Sequence, residues 1–297
     1  VTKTPSNRTP TRFNDHLTSV SGWTEGNYTD SGVIFGNLVA ANGNGVSQEG
    51  KDYGTNTTGW HGAAKVKAMP TPIQDFEITT WLTHKASHVN QVGRVEIYLR
   101  AVNGKHIGKF AIVDNSTKAD TPKFEARAGD WQEGHYFGNH TGPKSNSLAN
   151  FYGYVKFIRK GNKWTAEIYK QNSKQTYDCI VRKTWTDTAK KFTAQLASVQ
   201  MHVGAFKSEK VTNRLEISRV MVKEYVELSS SQAPNSIEAG DVLTIDSEAA
   251  KVYKNGELFY DGINPSSTFF SLKPGYNGLA VNVANTRIKV NYTERWL

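Results

Sequence analysis

The chain has 297 residues with 37% hydrophobic and 21% charged residues, enough for one large β domain or two smaller ones with a buried core. No apolar run approaches the roughly 18 residues a membrane helix needs, and a single cysteine, Cys179, excludes an intrachain disulfide. No Cys/His cluster has zinc spacing, so zinc scaffolds are excluded as well. The chain opens at Val1 with no basic, apolar leader, as expected of a mature form or a fragment. The net charge of +9 is uneven: residues 227–297 hold six Lys/Arg and eight Asp/Glu, so the excess of positive charge lies in 1–226. Such a body suits nucleic acid, an anionic cell-wall polymer, or a solvated surface with no partner, and the last is the commonest case.

Residues 1–13, with Pro5 and Pro10 among Thr, Ser and Asn, read as an extended leader. Period-two alternation then begins. Phe76, Ile78 and Leu82 share one face with Trp81 opposite, and Val95, Ile97 and Leu99 point away from Arg94, Glu96 and Arg100. Asn103-Gly104 turns that strand into Ile107–Val113. A second hairpin runs through Tyr154–Arg159, Gly161-Asn162 and Trp164–Tyr169, with Trp164, Ala166 and Ile168 on one face. Val199, Met201 and Val203 alternate, as do Leu215 and Ile217, and then Val220 and Val222. Residues 186–197 have room for one short helix at most. The pattern over 14–226 predicts an all-β, two-sheet jelly-roll sandwich.

A polar segment at 227–235 marks a boundary, and 236–297 reads as a small β unit. Its expected elements are a strand at Val242–Ile245, a hairpin at Asn255-Gly256, and strands around 280–283 and 288–292. Its small size requires support from elsewhere.

The order Gly240-Asp241, Asn255-Gly256, Phe270-Ser271-Leu272-Lys273-Pro274-Gly275-Tyr276-Asn277 and a closing Asn291-Tyr292 resembles the C-terminal end of siphophage distal tail proteins. The resemblance implies a ring at the tail tip and a galectin-like C-terminal sandwich. Gly59-Trp60-His61-Gly62, Gln74-Asp75-Phe76-Glu77, Val95–Leu99, Asn103–Gly108 and Gly161–Trp164 together resemble a concanavalin-like lectin module inserted in such proteins. Distal tail proteins with these insertions are of the evolved type, found in phages of lactic acid bacteria. The resemblance implies location in the virion at the tail tip, host wall polysaccharide and other tail proteins as partners, and adsorption at the bacterial surface.

Sugar recognition pairs aromatic rings against C–H faces with polar groups for the hydroxyls. Two segments carry that mixture. Tyr53, Trp60 and His61 lie in one, and Trp131, His135, Tyr136 and His140 in the other; these seven are the candidate carbohydrate-binding residues. Core packing is an equal alternative for Trp60. Trp23, Trp164 and Trp185 are assigned to packing, and His84 and His88 to the surface. Asp114-Asn115 and Asp120 have the oxygen ligands for a structural Ca²⁺, but an Asp/Asn turn without metal is favoured and no cofactor is expected.

The alternatives are a glycosidase or lyase on the same sandwich, or a purely structural tail module. Glu96 and Glu216 each lack the strand-adjacent carboxylate of β-sandwich glycosidases. Gln200-Met201-His202 resembles a lyase run without its companion motifs, and no Gly-x-Ser-x-Gly is present. A nucleic-acid-recognition motif is absent too. The reading is therefore non-catalytic, with neither nucleic acid nor membrane as partner.

Overall fold

The computed structural model describes residues 10–41, 45–226, 240–259, 268–279 and 287–293. The chain divides into a unit spanning Arg8–Val226 and a second that includes Glu227–Leu297. In chain order the strands of the first unit are β1 (Thr11–Asp15), β2 (Thr24–Glu25), β3 (Gly32–Ile34), β4 (Leu38–Ala40), β5 (Val46–Gln48) and β6 (Trp60–Gly62). There follow β7 (Ala64–Ile73), β8 (Phe76–Lys85), β9 (Gln91–Arg100), β10 (His106–Asp114), β11 (Lys123–Ala128) and β12 (His135–His140). The last six are β13 (Phe151–Lys160), β14 (Lys163–Gln171), β15 (Tyr177–Thr186), β16 (Leu196–Phe206), β17 (Lys210–Val211) and β18 (Arg214–Glu224).

These strands form two sheets. The eight-stranded sheet runs β15-β14-β13-β8-β18-β5-β4 with β1 on β18; the ten-stranded sheet runs β12-β11-β10-β9-β16-β6-β3, with β7 also on β16. The expected inward sets meet between them: Phe76, Ile78, Leu82, Trp164, Ala166 and Ile168 from one sheet, Val95, Ile97, Leu99, Val199, Met201 and Val203 from the other. Period-two strands allow nothing else, because slipping by one residue would put every apolar side chain in water. A bulge between Ile217 and Arg219 lets Val220 and Val222 return to the core after Ile217. Both hairpin turns, Asn103-Gly104 and Gly161-Asn162, stand where the sequence puts them.

Several readings change. The expected leader is in part a strand: Thr11–Asp15 pairs with β18, and Phe13 packs on the core. The backbone N–H of Glu224 donates to the Pro10 carbonyl at 2.9 Å, so the two ends of the sandwich lie side by side. His84, expected at the surface, is fully buried, its Nε2 lying 3.1 Å from the Gly93 carbonyl. Residues 187–195, with room for one short helix at most, link β15 to β16 with a turn at 188–189 and no helix. In the second unit, β19 (Leu243–Asp246), β20 (Lys251–Lys254) and β21 (Glu257–Leu258) form an antiparallel meander, with Asn255-Gly256 turning the last pair. The described residues 287–293 are not in a strand as the sequence reading had it. The expected boundary at 227–235 and the strand at 280–283 lie outside the described residues.

Candidate functional site

Outward positions on the ten-stranded sheet carry charge, yet most are buried. Residues 26–31 cross that face as a strap. Gly26 N–H donates to the Ala64 carbonyl at 2.9 Å, Gln200 Nε2 donates to the Tyr28 carbonyl at 2.6 Å, and Arg94 donates to the Thr29 hydroxyl. The Asp30 carboxylate lies 2.7 Å from Arg127 and 3.1 Å from Lys109. Lys109 also pairs with Glu96 at 2.8 Å, and Glu96 in turn meets Arg94 and His202 at 2.8 and 2.9 Å.

Burial by itself would raise the Glu96 carboxyl, but Arg94, Lys109 and His202 outweigh it and hold the group well below the usual carboxylate range. Asp30 follows the same logic: burial raises it, Lys109 and Arg127 prevail, and it is lowered. Both therefore remain anions locked to cations, unable to supply the proton that glycoside cleavage takes from a general acid.

Beyond the strap the same face opens onto β11 and β12. Tyr136 is 45% exposed, and its hydroxyl accepts from Arg127 at 2.9 Å while the guanidinium lies over its ring. Glu125 and Asn139 are cross-strand partners beside it. Trp131, 48% exposed, occupies the turn between the two strands. That turn is stiff: the Asp130 carboxylate accepts from the N–H groups of Gln132 and Glu133 at 2.9 and 2.7 Å, and Gly134 N–H returns to the Asp130 carbonyl. A Cβ at Gly134 would fall 2.1 Å from that carbonyl oxygen, so only glycine closes the turn this tightly. The shelf thus offers an exposed indole on a braced turn and a phenol tied to Arg127, with carboxylate and amide groups nearby.

The seven candidates do not assemble into one site. Trp131 and Tyr136 share this hairpin and are open to solvent. His135, exposed next to Tyr136, pairs with Ala128 and stacks on Trp185 at 4.1 Å, and half-buried His140 accepts at Nδ1 from Gly142 N–H at 2.7 Å.

In the Tyr53 segment the binding reading is corrected for Tyr53 and His61, and for Trp60 the core-packing alternative holds. Tyr53 is 7%, Trp60 8% and His61 3% exposed. Tyr53 belongs to the main core, and Trp60 packs with Ala111, Val113 and Phe206 under the Arg94 guanidinium. The His61 ring nitrogens lie 2.6 and 2.8 Å from the Tyr53 and Lys207 carbonyl oxygens. A saccharide cannot reach them. Trp23 and Trp164 are buried, and Trp185 is half-buried. Asp114 uses its carboxylate to accept from Ser116 and Thr121 N–H groups, which makes it a turn anchor. Among the described residues no group of three or more His, Cys, Asp or Glu could hold a metal ion.

One surface went unseen in the sequence. On the outer face of the eight-stranded sheet, register sets Tyr169 opposite Tyr154, Tyr154 opposite Trp81, and Trp81 opposite Arg219. Its signal was available, since Tyr152, Tyr154 and Trp81 occupy strand positions opposite the inward apolar set.

Residues 201–296 match the family model of the siphovirus-type tail component, C-terminal domain, a match that begins within β16 and continues past β18. This places the chain in the siphovirus tail. No curated relative matches the sequence. Among solved structures the chain is similar to the CBM2 module of the evolved Dit of Lactobacillus casei BL23 phage J-1, at 14% identity and a TM-score of 0.62 over 75% of this chain and 99% of that one. That likeness shows the fold: a lectin-type jelly roll. Weaker likenesses are to SCLam, a non-specific endo-β-1,3(4)-glucanase of family GH16 (10% identity, TM-score 0.47, 75% and 97% covered), and to arcelin-5, a lectin-like defence protein of Phaseolus vulgaris (10%, 0.45, 75% and 99%).

Proposed function

We propose that the Arg8–Val226 sandwich is a non-catalytic carbohydrate-binding module of a phage tail-tip protein, which recognises host cell-wall polysaccharide during adsorption. The observation that carries this reading is the exposed Trp131–Tyr136 hairpin, where a braced turn carries the indole and Arg127 positions the phenol before any ligand arrives. The fold shared with a carbohydrate-binding module of an evolved Dit supports it, as does the tail-component match over 201–296. Shallow sites of this kind bind weakly, roughly millimolar to micromolar. Repetition around a tail-tip ring would raise the effective concentration and make attachment firm. Other tail proteins are the second class of partner.

A depolymerase is the alternative, and Glu96 and Asp30 disfavour it, since Glu96 is buried beneath the strap, Asp30 is buried within it, and cations hold both as anions. Two measurements test the proposal. A fluorescent fusion of the chain should label host cells, and the Trp131→Ala/Tyr136→Ala pair should abolish labelling while keeping the melting transition. Unchanged labelling by the folded pair removes the hairpin from the site. Release of reducing ends or unsaturated products from purified wall polysaccharide would replace binding with catalysis.

A further inference from the structure

We propose a second saccharide surface, the outer face of the eight-stranded sheet, specific for polymers bearing phosphate or carboxylate groups. It rests on the carbohydrate-binding reading and names a ligand class for a face that the Trp131 hairpin does not share.

The rings come first. Trp81 and Tyr154 lie 5.0 Å apart, and Tyr154 and Tyr169 stack at 4.4 Å. Tyr177 stands edge-on against both, at 5.8 and 5.5 Å. Because Tyr154 and Tyr169 use their faces on one another and both are half-buried, they offer ring edges rather than open faces, while the Tyr169 hydroxyl is spent on Glu167. Ring edges are the positive part of the aromatic quadrupole. Such a row is a poor platform for stacking nucleobases, which need open faces, and a good one for oxygen-rich, negatively charged groups.

Cations surround it. Lys156 on β13, Arg182 on β15 and Arg219 on β18 stand at outward strand positions of this sheet. Arg219 lies over the Trp81 ring and Lys85 over Tyr152. Lys156 and Arg182 share a cross-strand row with Glu167 between them. The carboxylates on this face are engaged: Glu167 accepts from the Tyr169 hydroxyl at 2.9 Å and pairs with Arg182, Glu216 is held by Arg214, and Glu77 accepts from the Tyr225 hydroxyl. The surplus positive charge is therefore open to a polyanion.

The test is affinity electrophoresis of the full chain through gels containing poly(glycerol phosphate) teichoic acid, polygalacturonate, neutral dextran or single-stranded DNA. The two polyanionic saccharides should retard the chain and dextran should not, with the stronger of the two arms identifying phosphate or carboxylate as the recognised group. Retardation should weaken as salt rises. The Lys156→Gln/Arg182→Gln/Arg219→Gln triple variant should lose about tenfold or more in affinity, and Tyr177→Ala should lose several-fold with its melting transition kept. Trp131→Ala/Tyr136→Ala should retain polyanion binding. Absence of retardation by either polyanion, an unchanged triple variant, an unchanged Tyr177→Ala, or tighter binding to DNA each overturns the proposal. Loss of host-cell labelling by the hairpin pair alone, with no change in the triple variant, would sink this face and leave the carbohydrate-binding reading standing.

Discussion

The two outer faces of the sandwich spend their charged residues in opposite ways. On the ten-stranded sheet, Asp30, Glu96, Lys109, Arg127 and Arg94 neutralise one another beneath the chain's own strap. On the eight-stranded sheet, Tyr152, Tyr177 and Arg182 are exposed and Trp81, Tyr154, Tyr169, Lys156 and Arg219 are half-buried, so rings and cations there are reachable from water. A charge paired in low dielectric fixes structure and contributes little to long-range attraction, whereas an exposed one attracts partners and adds little to stability. The contrast predicts that substitutions on the first face act on folding and those on the second on binding.

The sharpest way to break that contrast is Glu96→Ala, which leaves Arg94 and Lys109 buried without their shared partner. It should destabilise the fold by about 3–5 kcal/mol in urea titrations. A loss below 1 kcal/mol would show the network to be open to water. Acid comes next. His84 is held at about 4 by burial, so it stays neutral in the fold while the unfolded chain takes up a proton below about 6.5. Stability should therefore fall as pH drops from 6.5 to 4, by about 3 kcal/mol from this residue. His106, also at about 4 through burial, adds to the slope. Below that window the depressed carboxyls of Glu96 and Asp30 protonate and their contribution is lost as well. Melting curves across this range should show the fall, and a His84→Gln variant, uncharged throughout, should show a shallower one. The smallest effect belongs to the open face, where Arg182→Gln should alter stability by no more than about 0.5 kcal/mol. A larger loss would mean that its pairing with Glu167 is structural.

The fold was legible because the core strands repeat with period two and their tight turns carry Asn and Gly. The fate of the outward side chains was not. Arg94 and Glu96 look like the wet side of a half-buried strand, and only a strap some sixty residues earlier in sequence buries them. Tyr53, Trp60 and His61 sit in a Gly/Thr/Asn-rich stretch that reads as an exposed loop. Their burial comes from the parallel pairing of β6 with β3 and from Arg94 and Phe206, contacts that no local pattern encodes. Trp131 was legible for the opposite reason: a short Asx turn decides its place, and all its determinants are neighbours in sequence. The aromatic row was spelled out strand by strand, but it becomes a surface only when β14, β13 and β8 align.

The pairing of β1 with β18 reaches further than the sheet it completes. Antiparallel partners stand about 5 Å apart, so the backbone enters and leaves this body through what is nearly a single doorway. A host loop can carry such a cassette without being stretched, and the closure entropy of that loop changes little with the size of what hangs from it. Sequence variation on the faces of this body can then change its surface while the paired ends at β1 and β18 stay the same.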